Sequence, residues 1–190
     1  MPILAFVIGD EFAAVLAAAQ AGREDAFAAL WRDGNPALLR YLRVAASDAA
    51  EDVASETWVQ VVRGLASFQG DEQAWRGWLF TIARRRALDE RRRRSRHPVA
   101  PIDELPADRE PRTDDAAGLA LENLATAAAL AAVAALPPLQ AEVILLRVLA
   151  GLDTEAVAKI VGRRPGAVRV AAHRGLRRLA QILATTSVTL

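Results

Sequence analysis

The stretch GLDTEAVAKIVGRRPGAVRVAAHRGLRRLAQIL, residues 151 to 183, carries the most specific structural pattern in the chain. Asp153 stands where an N-cap residue opens a short helix, Gly162 ends that helix, and Pro165 takes the first position of a second helix. This spacing predicts a helix-turn-helix. Apolar residues at steps of four, four, three and four predict the buried stripe of the second helix: Val168, Ala172, Leu176, Leu179 and Leu183.

The opposite face of this second helix is basic. It collects Arg169, His173 and Arg177, with Arg174 and Arg178 beside them. Arginines at one-turn intervals fit the major groove of DNA, with the leading residues at base edges and the later ones on phosphates. A solvated face on an ordinary helical hairpin is the alternative, and a single histidine there is more typical of a surface position than of a base contact.

The rest of the sequence is also helical in pattern, because long alanine- and leucine-rich stretches are interrupted only at glycine, asparagine and proline. The pattern predicts an all-α fold of two small domains. We expect helices near residues 10–20, 24–33, 36–46, 48–66, 72–94, 118–135, 138–150, 154–161 and 165–183.

A proline-rich acidic segment divides the two domains. Residues 97–117, HPVAPIDELPADREPRTDDAA, contain four prolines and six acids, and their apolar residues are too sparse to form a helical face. We therefore predict an extended or disordered flexible linker between a domain at residues 1–96 and a helix-turn-helix domain at residues 118–190.

The charges are segregated along the chain, although the formal net charge is only +1. Residues 84–96 hold eight arginines against two acids, and residues 153–190 hold seven cations against two acids. Two basic surfaces with an acidic spacer indicate a polyanion that is gripped at two places.

Composition excludes several classes of function. The chain has no cysteine and only two histidines, so disulfides and the usual zinc sites are excluded. It has neither a phosphate-binding loop of the form G-x-x-x-x-G-K-[ST] nor a catalytic constellation, so we expect no enzyme activity and no cofactor. No apolar run approaches the roughly 20 residues of a membrane span, and the apolar start lacks a positive flank, so we expect a cytoplasmic protein.

A second pattern lies in AAEDVASETWVQVVRGL, residues 49–65. With helical spacing, Asp48, Glu51, Asp52 and Glu56 gather on one side. The other side is the predicted buried face: Val53, Thr57, Trp58, Val61 and Leu65. An acidic stripe repels DNA and suits a basic surface on another protein; a merely solvated face is the alternative.

A third pattern, FQGDEQAWRGWLFTIARRRALDERRRR at residues 68–94, places aromatic residues directly before a basic helix. Trp75, Trp78 and Phe80 could offer flat faces to unstacked bases while the arginines hold a nucleic acid backbone. Each aromatic taken singly is more typical of a core, as are Leu79 and Ile82. The loop at residues 67–72 could equally be a plain connection.

Three ordered stretches together resemble a known family. They are AAEDVASETWVQV, WRGWLFTIARRRALDERRRR and LPPLQAEVILLRVLAGLDTEAVAKIVGRRPGAVRVAAHRGLRRL, and they cover both predicted domains. The chain resembles a bacterial RNA polymerase sigma factor of the extracytoplasmic-function (ECF) group, within the sigma-70 family. This resemblance implies a protein that binds core RNA polymerase, reads the -35 and -10 promoter elements, and aids promoter melting.

The resemblance also implies roles for individual residues. The polymerase contact would comprise Asp48, Glu51, Asp52, Ser55 and Glu56, with Ser55 where the family often has glutamine. The -10 contacts would comprise Ser67, Phe68, Gln69, Gly70, Asp71, Trp75, Arg84, Arg85, Arg86, Arg91 and Arg92, with Arg85 where the family commonly has asparagine. The -35 contacts would comprise Arg163, Arg164, Arg169, His173, Arg174 and Arg177.

The expected partners are core RNA polymerase, promoter DNA and an anti-sigma factor, with no membrane insertion and no small-molecule substrate. Two other functions stay open. A stand-alone helix-turn-helix transcriptional regulator would leave the acidic stripe and the aromatic-to-arginine helix without a purpose. An adaptor that binds polymerase without reading DNA would leave both basic helices idle.

Overall fold

The computed structural model describes residues 8–96 and 126–187. Within these two ranges all regular secondary structure is helical. The helices are α1 Phe12–Gln20, α2 Glu24–Ala45, α3 Ala50–Leu65, α4 Glu72–Arg96, α5 at residues 126–134, α6 Pro138–Val148, α7 Thr154–Val161 and α8 Pro165–Ser187. The all-helical prediction is confirmed. None of these described helices combines the length and apolar character needed to cross a bilayer.

Most predicted helix ends agree with the structure to within a few residues. The predicted helix at 48–66 is α3 preceded by a 3-10 turn at Ser47–Ala49, and α4 and α8 extend further than predicted, to Arg96 and Ser187. The predicted linker at 97–117 and the start of the predicted helix at 118–135 lie outside the described residues.

Helix α2 corrects one prediction. The sequence pattern predicts two helices, 24–33 and 36–46, but the chain continues as one helix through Pro36. Proline removes one helical hydrogen bond and strains the preceding turn. Packing offsets this cost, because a Cβ atom at Gly34 would lie only 3.1 Å from Leu79 Cδ2, and Asn35 Oδ1 accepts a 3.0 Å hydrogen bond from Trp58 Nε1.

Helices α1 to α4 enclose an apolar core. Among its largest fully buried side chains are Trp75, Tyr41, Phe80 and Leu30, and each large apolar side chain of this kind contributes about 1.5–3 kcal/mol on burial. The predicted inner face of α3 is confirmed, because all five of its residues are buried. The one polar member, Thr57, donates a 2.7 Å hydrogen bond from Oγ1 to the Val53 carbonyl.

The helix-turn-helix is formed by α7 and α8, as predicted. Asp153 caps α7 by accepting a 2.7 Å hydrogen bond from the Ala156 backbone N–H. Gly162 ends α7 with a φ of 66°, a left-handed conformation that glycine adopts without steric cost. Pro165 is the first residue of α8, where its missing N–H has no helical partner to lose.

The buried stripe of α8 differs from the predicted one. Val168 and Ala172 are buried and Leu179 is half-buried, but Leu176 is 54% exposed and Leu183 is 48% exposed. The stripe instead passes through Gly175, where an added Cβ atom would lie 2.7 Å from Ile144 Cδ1 of α6. Because α6 crosses α8 so closely at this glycine, the adjacent leucine points to the side of the contact.

Candidate functional site

The acidic stripe consists of the five residues predicted to contact polymerase: Asp48, Glu51, Asp52, Ser55 and Glu56. All five are exposed. The Ser55 hydroxyl donates to the Glu51 carbonyl at 3.0 Å, so it is turned onto its own helix. The stripe therefore presents mainly carboxylates to solvent.

Both ends of the acidic stripe lie beside arginines of α4. Arg94 Nη1 is 3.5 Å from Asp48 Oδ2, and Arg86 Nη1 is 4.0 Å from Glu56 Oε2. These four side chains are 35–92% exposed, so the pairs contribute little to stability. Their consequence is positional, because they place the acidic stripe next to the basic helix.

Two exposed valines extend the acidic stripe, and the sequence analysis did not single them out. Val59 is 49% exposed and Val62 is 55% exposed, and they lie about one and two turns further along α3 than Ser55. Their signal in the sequence is the run Val59–Gln60–Val61–Val62, because only Val61 continues the buried spacing. An apolar edge beside carboxylates is typical of a protein-binding surface.

The loop between α3 and α4 contains the predicted -10 residues Ser67, Phe68, Gln69, Gly70 and Asp71. Ser67, Gln69, Gly70 and Asp71 are exposed, and Phe68 is half-buried. Asp71 Oδ1 accepts a 2.8 Å hydrogen bond from the Ala74 N–H and so caps α4. Ser67 Oγ donates to the Gly64 carbonyl at 3.0 Å.

Gln20, at the end of α1, holds this loop from outside, and sequence reasoning missed it. Its Nε2 donates to the Leu65 carbonyl at 3.0 Å and to the Phe68 carbonyl at 2.8 Å. Leu65 is the last residue of α3 and Phe68 lies in the loop beyond it, where carbonyls have no N–H of a following helical turn to accept from. No local pattern indicates this contact, because Gln20 and Phe68 are 48 residues apart.

An aromatic cluster lies beneath the loop and includes Phe12, Phe68, Trp75 and Trp78. Phe68 stacks on Trp78 with ring centroids 5.0 Å apart, and Trp75 meets both rings at 5.5–5.6 Å. Trp75 is 0% exposed. The prediction that Trp75 offers a face to DNA is therefore wrong for this conformation, since its ring belongs to the core; Phe68 and Trp78 keep partly open faces.

The predicted -10 arginines of α4 fall into two groups. Arg85, Arg91 and Arg92 are exposed, whereas Arg84 and Arg86 are half-buried. Arg84 binds Glu142 of α6, with Nε 2.7 Å from Oε1. Arg86 Nη2 donates to Gln60 Oε1 at 2.9 Å. The exposed group can bind phosphate, although Arg92 Nη1 also lies 3.4 Å from Asp89 Oδ1. Arg84 and Arg86 are held by partners within the protein.

Glu90 organises the last two turns of α4. It accepts hydrogen bonds from Arg93 and Arg94 at 2.7–3.1 Å. These bonds, that of Arg93 first, hold the pKa of the Glu90 carboxyl below its ordinary value, so the carboxyl remains ionised at neutral pH. The carboxylate reduces the net positive charge that this end of the helix presents.

The six predicted -35 residues all lie on the exposed side of the helix-turn-helix. Arg163 and Arg164 lie in the turn before α8, while Arg169, His173, Arg174 and Arg177 follow on α8 itself. Arg169 Nη2 is 3.5 Å from Glu155 Oε1 of α7, and both side chains are more than half exposed. The arrangement is a basic helix face open to a large anionic surface.

No cluster of three or more histidine, cysteine, aspartate or glutamate side chains with metal-binding geometry occurs in the described part of the chain.

Two family models match the chain. Sigma-70 region 2 matches residues 30–97, and sigma-70 region 4 matches residues 126–179. The first match contains most of α2 and all of α3 and α4, and the second contains α5 to α7 and most of α8.

Curated relatives are ECF RNA polymerase sigma factors. The chain is 35% identical over 168 residues to BldN of Streptomyces coelicolor, which covers 87% of this chain and 63% of BldN. It is 36% identical over 158 residues to ShbA of Streptomyces griseus, covering 76% of this chain and 81% of ShbA. It is 31% identical over 181 residues to SigD of Mycobacterium tuberculosis, covering 90% of this chain and 83% of SigD.

Two solved structures share the fold. CnrH in complex with the cytosolic domain of CnrY has a TM-score of 0.63 at 22% identity and covers 93% of this chain and 99% of that one. The sigma factor RpoE in complex with the anti-sigma factor NepR from Bartonella quintana has a TM-score of 0.56 at 22% identity, with 92% and 94% of the two chains covered.

Proposed function

This chain belongs to the ECF group of RNA polymerase sigma factors, and we propose that it binds core RNA polymerase and directs promoter-specific transcription initiation by reading the -35 and -10 elements. The observation that carries the proposal is the separation of three surfaces. The acidic stripe, the loop and basic helix around α4, and the open face of α8 are three distinct exposed surfaces, the first acidic and the other two basic. An ordinary DNA-binding repressor needs only the last of these.

The acidic stripe, with Val59 and Val62 at its edge, is our candidate contact with core polymerase. Exposed carboxylates repel DNA and attract a basic protein surface, and the two valines add apolar area that such a contact would bury. Residues 1–96 form the domain that makes this contact and melts the -10 element. Residues 118–190 form the -35 domain, and residues 97–117 link the two.

The -10 element is read by the loop and by α4. Exposed arginines hold the phosphates of the separated strand, while the half-buried rings of Phe68 and Trp78 support the loop that receives an unstacked base. Trp75 acts through these rings and not on DNA directly. The contacting residues in this proposal are Ser67, Phe68, Gln69, Gly70, Asp71, Arg84, Arg85, Arg86, Arg91 and Arg92.

The -35 element is read in the duplex by α8. Its first turns bring Arg169 and His173 toward base edges, while Arg174 and Arg177 reach the flanking phosphates together with the turn residues Arg163 and Arg164. Binding energy from the two elements replaces ATP hydrolysis in strand separation. The protein is thus a regulator and not an enzyme, as its family identity supports.

We also propose that the protein works in the cytoplasm, on nucleoid DNA, and that an anti-sigma factor controls it. The RpoE structure contains the anti-sigma factor NepR, which makes a partner of this class the natural candidate here.

The decisive experiment is run-off transcription with purified core polymerase on the gene's own upstream DNA. A sigma factor gives specific binding and a transcript only when core polymerase is present. In a gel-shift assay on the same DNA, a stand-alone regulator would bind without polymerase, and an adaptor would not bind the DNA at all.

The polymerase surface is tested by the triple reversal Glu51→Lys, Asp52→Lys and Glu56→Lys. These residues are exposed, so the fold should persist while co-purification with core polymerase is lost. The reversal Glu24→Lys, on the exposed start of α2, is the control. Unchanged co-purification of the triple variant would reject this surface.

A further inference from the structure

The described N-terminal and C-terminal halves touch through a three-residue cluster. Glu142 of α6 accepts from Arg84 of α4, at 2.7 Å from Nε and 3.4 Å from Nη2, and from the Tyr41 hydroxyl of α2 at 3.3 Å. The side chains of Arg84 and Glu142 are only 25% and 21% exposed. This is a partly desolvated, two-pronged ion pair between residues 58 positions apart.

Tyr41 fixes the position of the Glu142 carboxylate. Its ring is 1% exposed and meets Phe80 edge-on at 5.4 Å, so its hydroxyl cannot move far. Burial, and next the negative charge of Glu142, raise the pKa of the Tyr41 hydroxyl above its ordinary value. The hydroxyl therefore stays protonated and donates to Glu142 at neutral pH.

A second contact covers the first turns of α4, the helix that carries Arg84. Gln73 Nε2 donates to the Gly151 carbonyl at 3.2 Å, and a Cβ atom at Gly77 would lie 3.9 Å from Leu152 Cδ2. Positions 73, 77 and 84 follow each other at helical spacing, so they share one face of α4. The C-terminal half therefore covers about three turns of the helix that we assign to the -10 element.

The interface is incompletely packed. A cavity of about 350 Å³ lies between the halves beside the cluster, and Arg84, Arg91, Arg94 and Glu142 are among the residues that line it. A cavity with charged walls retains water. Separating the two halves therefore costs less free energy than separating a tightly packed apolar interface would.

We propose that this interface is a closed state in which Glu142 occupies, on Arg84, the place that a DNA phosphate takes when the -10 surface is used. Arginine binds carboxylate and phosphate oxygens with the same planar fork, so one can replace the other. The inference rests on the proposed function, which assigns Arg84 to the DNA surface and gives the two halves separate promoter elements to read. The occupant of the covered face is thus the chain's own α6–α7 region.

The spacing of the promoter elements requires the interface to open. Positions -35 and -10 are roughly 25 base pairs apart, or about 85 Å at 3.4 Å per base pair. While α4 is packed against α6 and the residues before α7, the two halves are too close together to read both elements at once. The 29 residues at 97–125 could reach about 100 Å when fully extended, so the chain is long enough to permit the separation.

The test uses the full chain and compares Glu142→Gln with the control Glu24→Gln, which removes the same charge from an exposed position on α2. Because the chain has no cysteine, Ala17→Cys and Ala180→Cys, both at exposed positions, give two unique spin labels. Pulsed electron paramagnetic resonance should give one narrow distance distribution for the otherwise unaltered protein and for the control. Glu142→Gln should broaden it toward longer distances.

The second measurement is affinity for a 20-nucleotide single-stranded DNA of mixed sequence. Glu142→Gln should bind roughly three- to tenfold more tightly than Glu24→Gln, since less of the protein is closed and an internal competitor is lost. Tyr41→Phe, which keeps the buried ring, should shift both measurements in the same direction by less. Circular dichroism and thermal unfolding identify any variant that is not folded.

Equal DNA affinities of Glu142→Gln and Glu24→Gln, or equal distance distributions, would overturn the inference. So would a broad distribution in the protein without substitutions at 142 or 24. These results do not depend on the transcription assay, because neither measurement uses polymerase. Absence of a transcript with core polymerase would count against the proposed function while leaving the interface result intact.

Discussion

Helices α4 and α8 are both rich in arginine, but the structure uses their charges differently. Six arginines of α4 lie within 4.0 Å of a carboxylate, and their partners come from α3, the 3-10 turn before it, α6 and α4 itself. In α8 only Arg169 has such a partner among the described residues. A count of arginines therefore overstates the charge that α4 presents to DNA, while in α8 nearly all of it is available.

The same contrast holds for apolar side chains. Helix α4 buries Trp75, Leu79 and Phe80 completely, whereas α8 leaves Leu176 and Leu183 about half exposed. A substitution in α4 thus disturbs the fold and the DNA surface together. In α8 the two effects can be separated, and the following substitutions test that difference.

The largest expected effect is that of Trp75→Ala in α4. Removing a fully buried tryptophan should lower the free energy of unfolding by about 3–5 kcal/mol, because it leaves a cavity among three aromatic rings. Leu176→Ala in α8 should change the free energy of unfolding by about 0.5 kcal/mol or less. Urea denaturation measures both, and similar losses would remove the contrast between the helices.

In α8, Arg169→Ala should act on DNA and not on stability. If the guanidinium contacts a base edge, the loss in -35 discrimination should be about 1–3 kcal/mol. The measurement is holoenzyme affinity for promoters that differ only in the -35 element. A loss that is equal on every sequence would make Arg169 a phosphate contact, and a large drop in unfolding free energy would show that α8 resembles α4 after all.

Gln20→Glu should loosen the loop before α4. The carboxylate cannot donate to the Leu65 and Phe68 carbonyls, so two hydrogen bonds of about 1 kcal/mol each are lost. Faster hydrogen exchange in residues 65–70 and weaker -10 discrimination, with -35 discrimination unchanged, are the expected results. Gln60→Glu is the matched control. It makes the same change of side chain but should not lower the free energy of unfolding, because it places a carboxylate beside Arg86.

The smallest effect concerns Glu90 at the exposed end of α4. Because the pKa of Glu90 is lowered in the folded protein, its contribution to stability is present above the unfolded-state pKa and is lost as the pH falls through the folded-state value. Glu90→Gln should cost a few tenths of a kcal/mol at neutral pH and nothing in strong acid. Urea denaturation from pH 7 to pH 2 measures how the free energy of unfolding depends on pH. If Glu90→Gln leaves this dependence unchanged, the arginine contacts are too exposed to contribute to stability.

Local patterns predicted the parts of the fold that depend on neighbouring residues. The caps at Asp153, Gly162 and Pro165 and the two faces of α3 follow from helical spacing and from the backbone chemistry of single residues. The continuation of α2 through Pro36 could not be predicted in this way, because side chains from α3 and α4 hold the helix together there.

The candidate site shows the same limit. Exposure of the acidic stripe and of the α8 arginines follows from their spacing, but the burial of Trp75 depends on rings contributed by α1 and by the loop. The contacts of Gln20 with Phe68 and of Arg84 with Glu142 join residues 48 and 58 positions apart. A single sequence contains no periodic pattern that links such residues.

Gly175 has a consequence for how this protein can diverge. With no side chain at position 175, the backbone of α8 lies directly against Ile144 and Gln140 of α6, so the position of α8 does not depend on its outward-pointing residues. Under the proposed function, substitutions at the outer positions of α8 can therefore change the preferred -35 sequence while the position of the helix stays constant. New regulons become accessible by single substitutions, provided that this one inward position remains glycine.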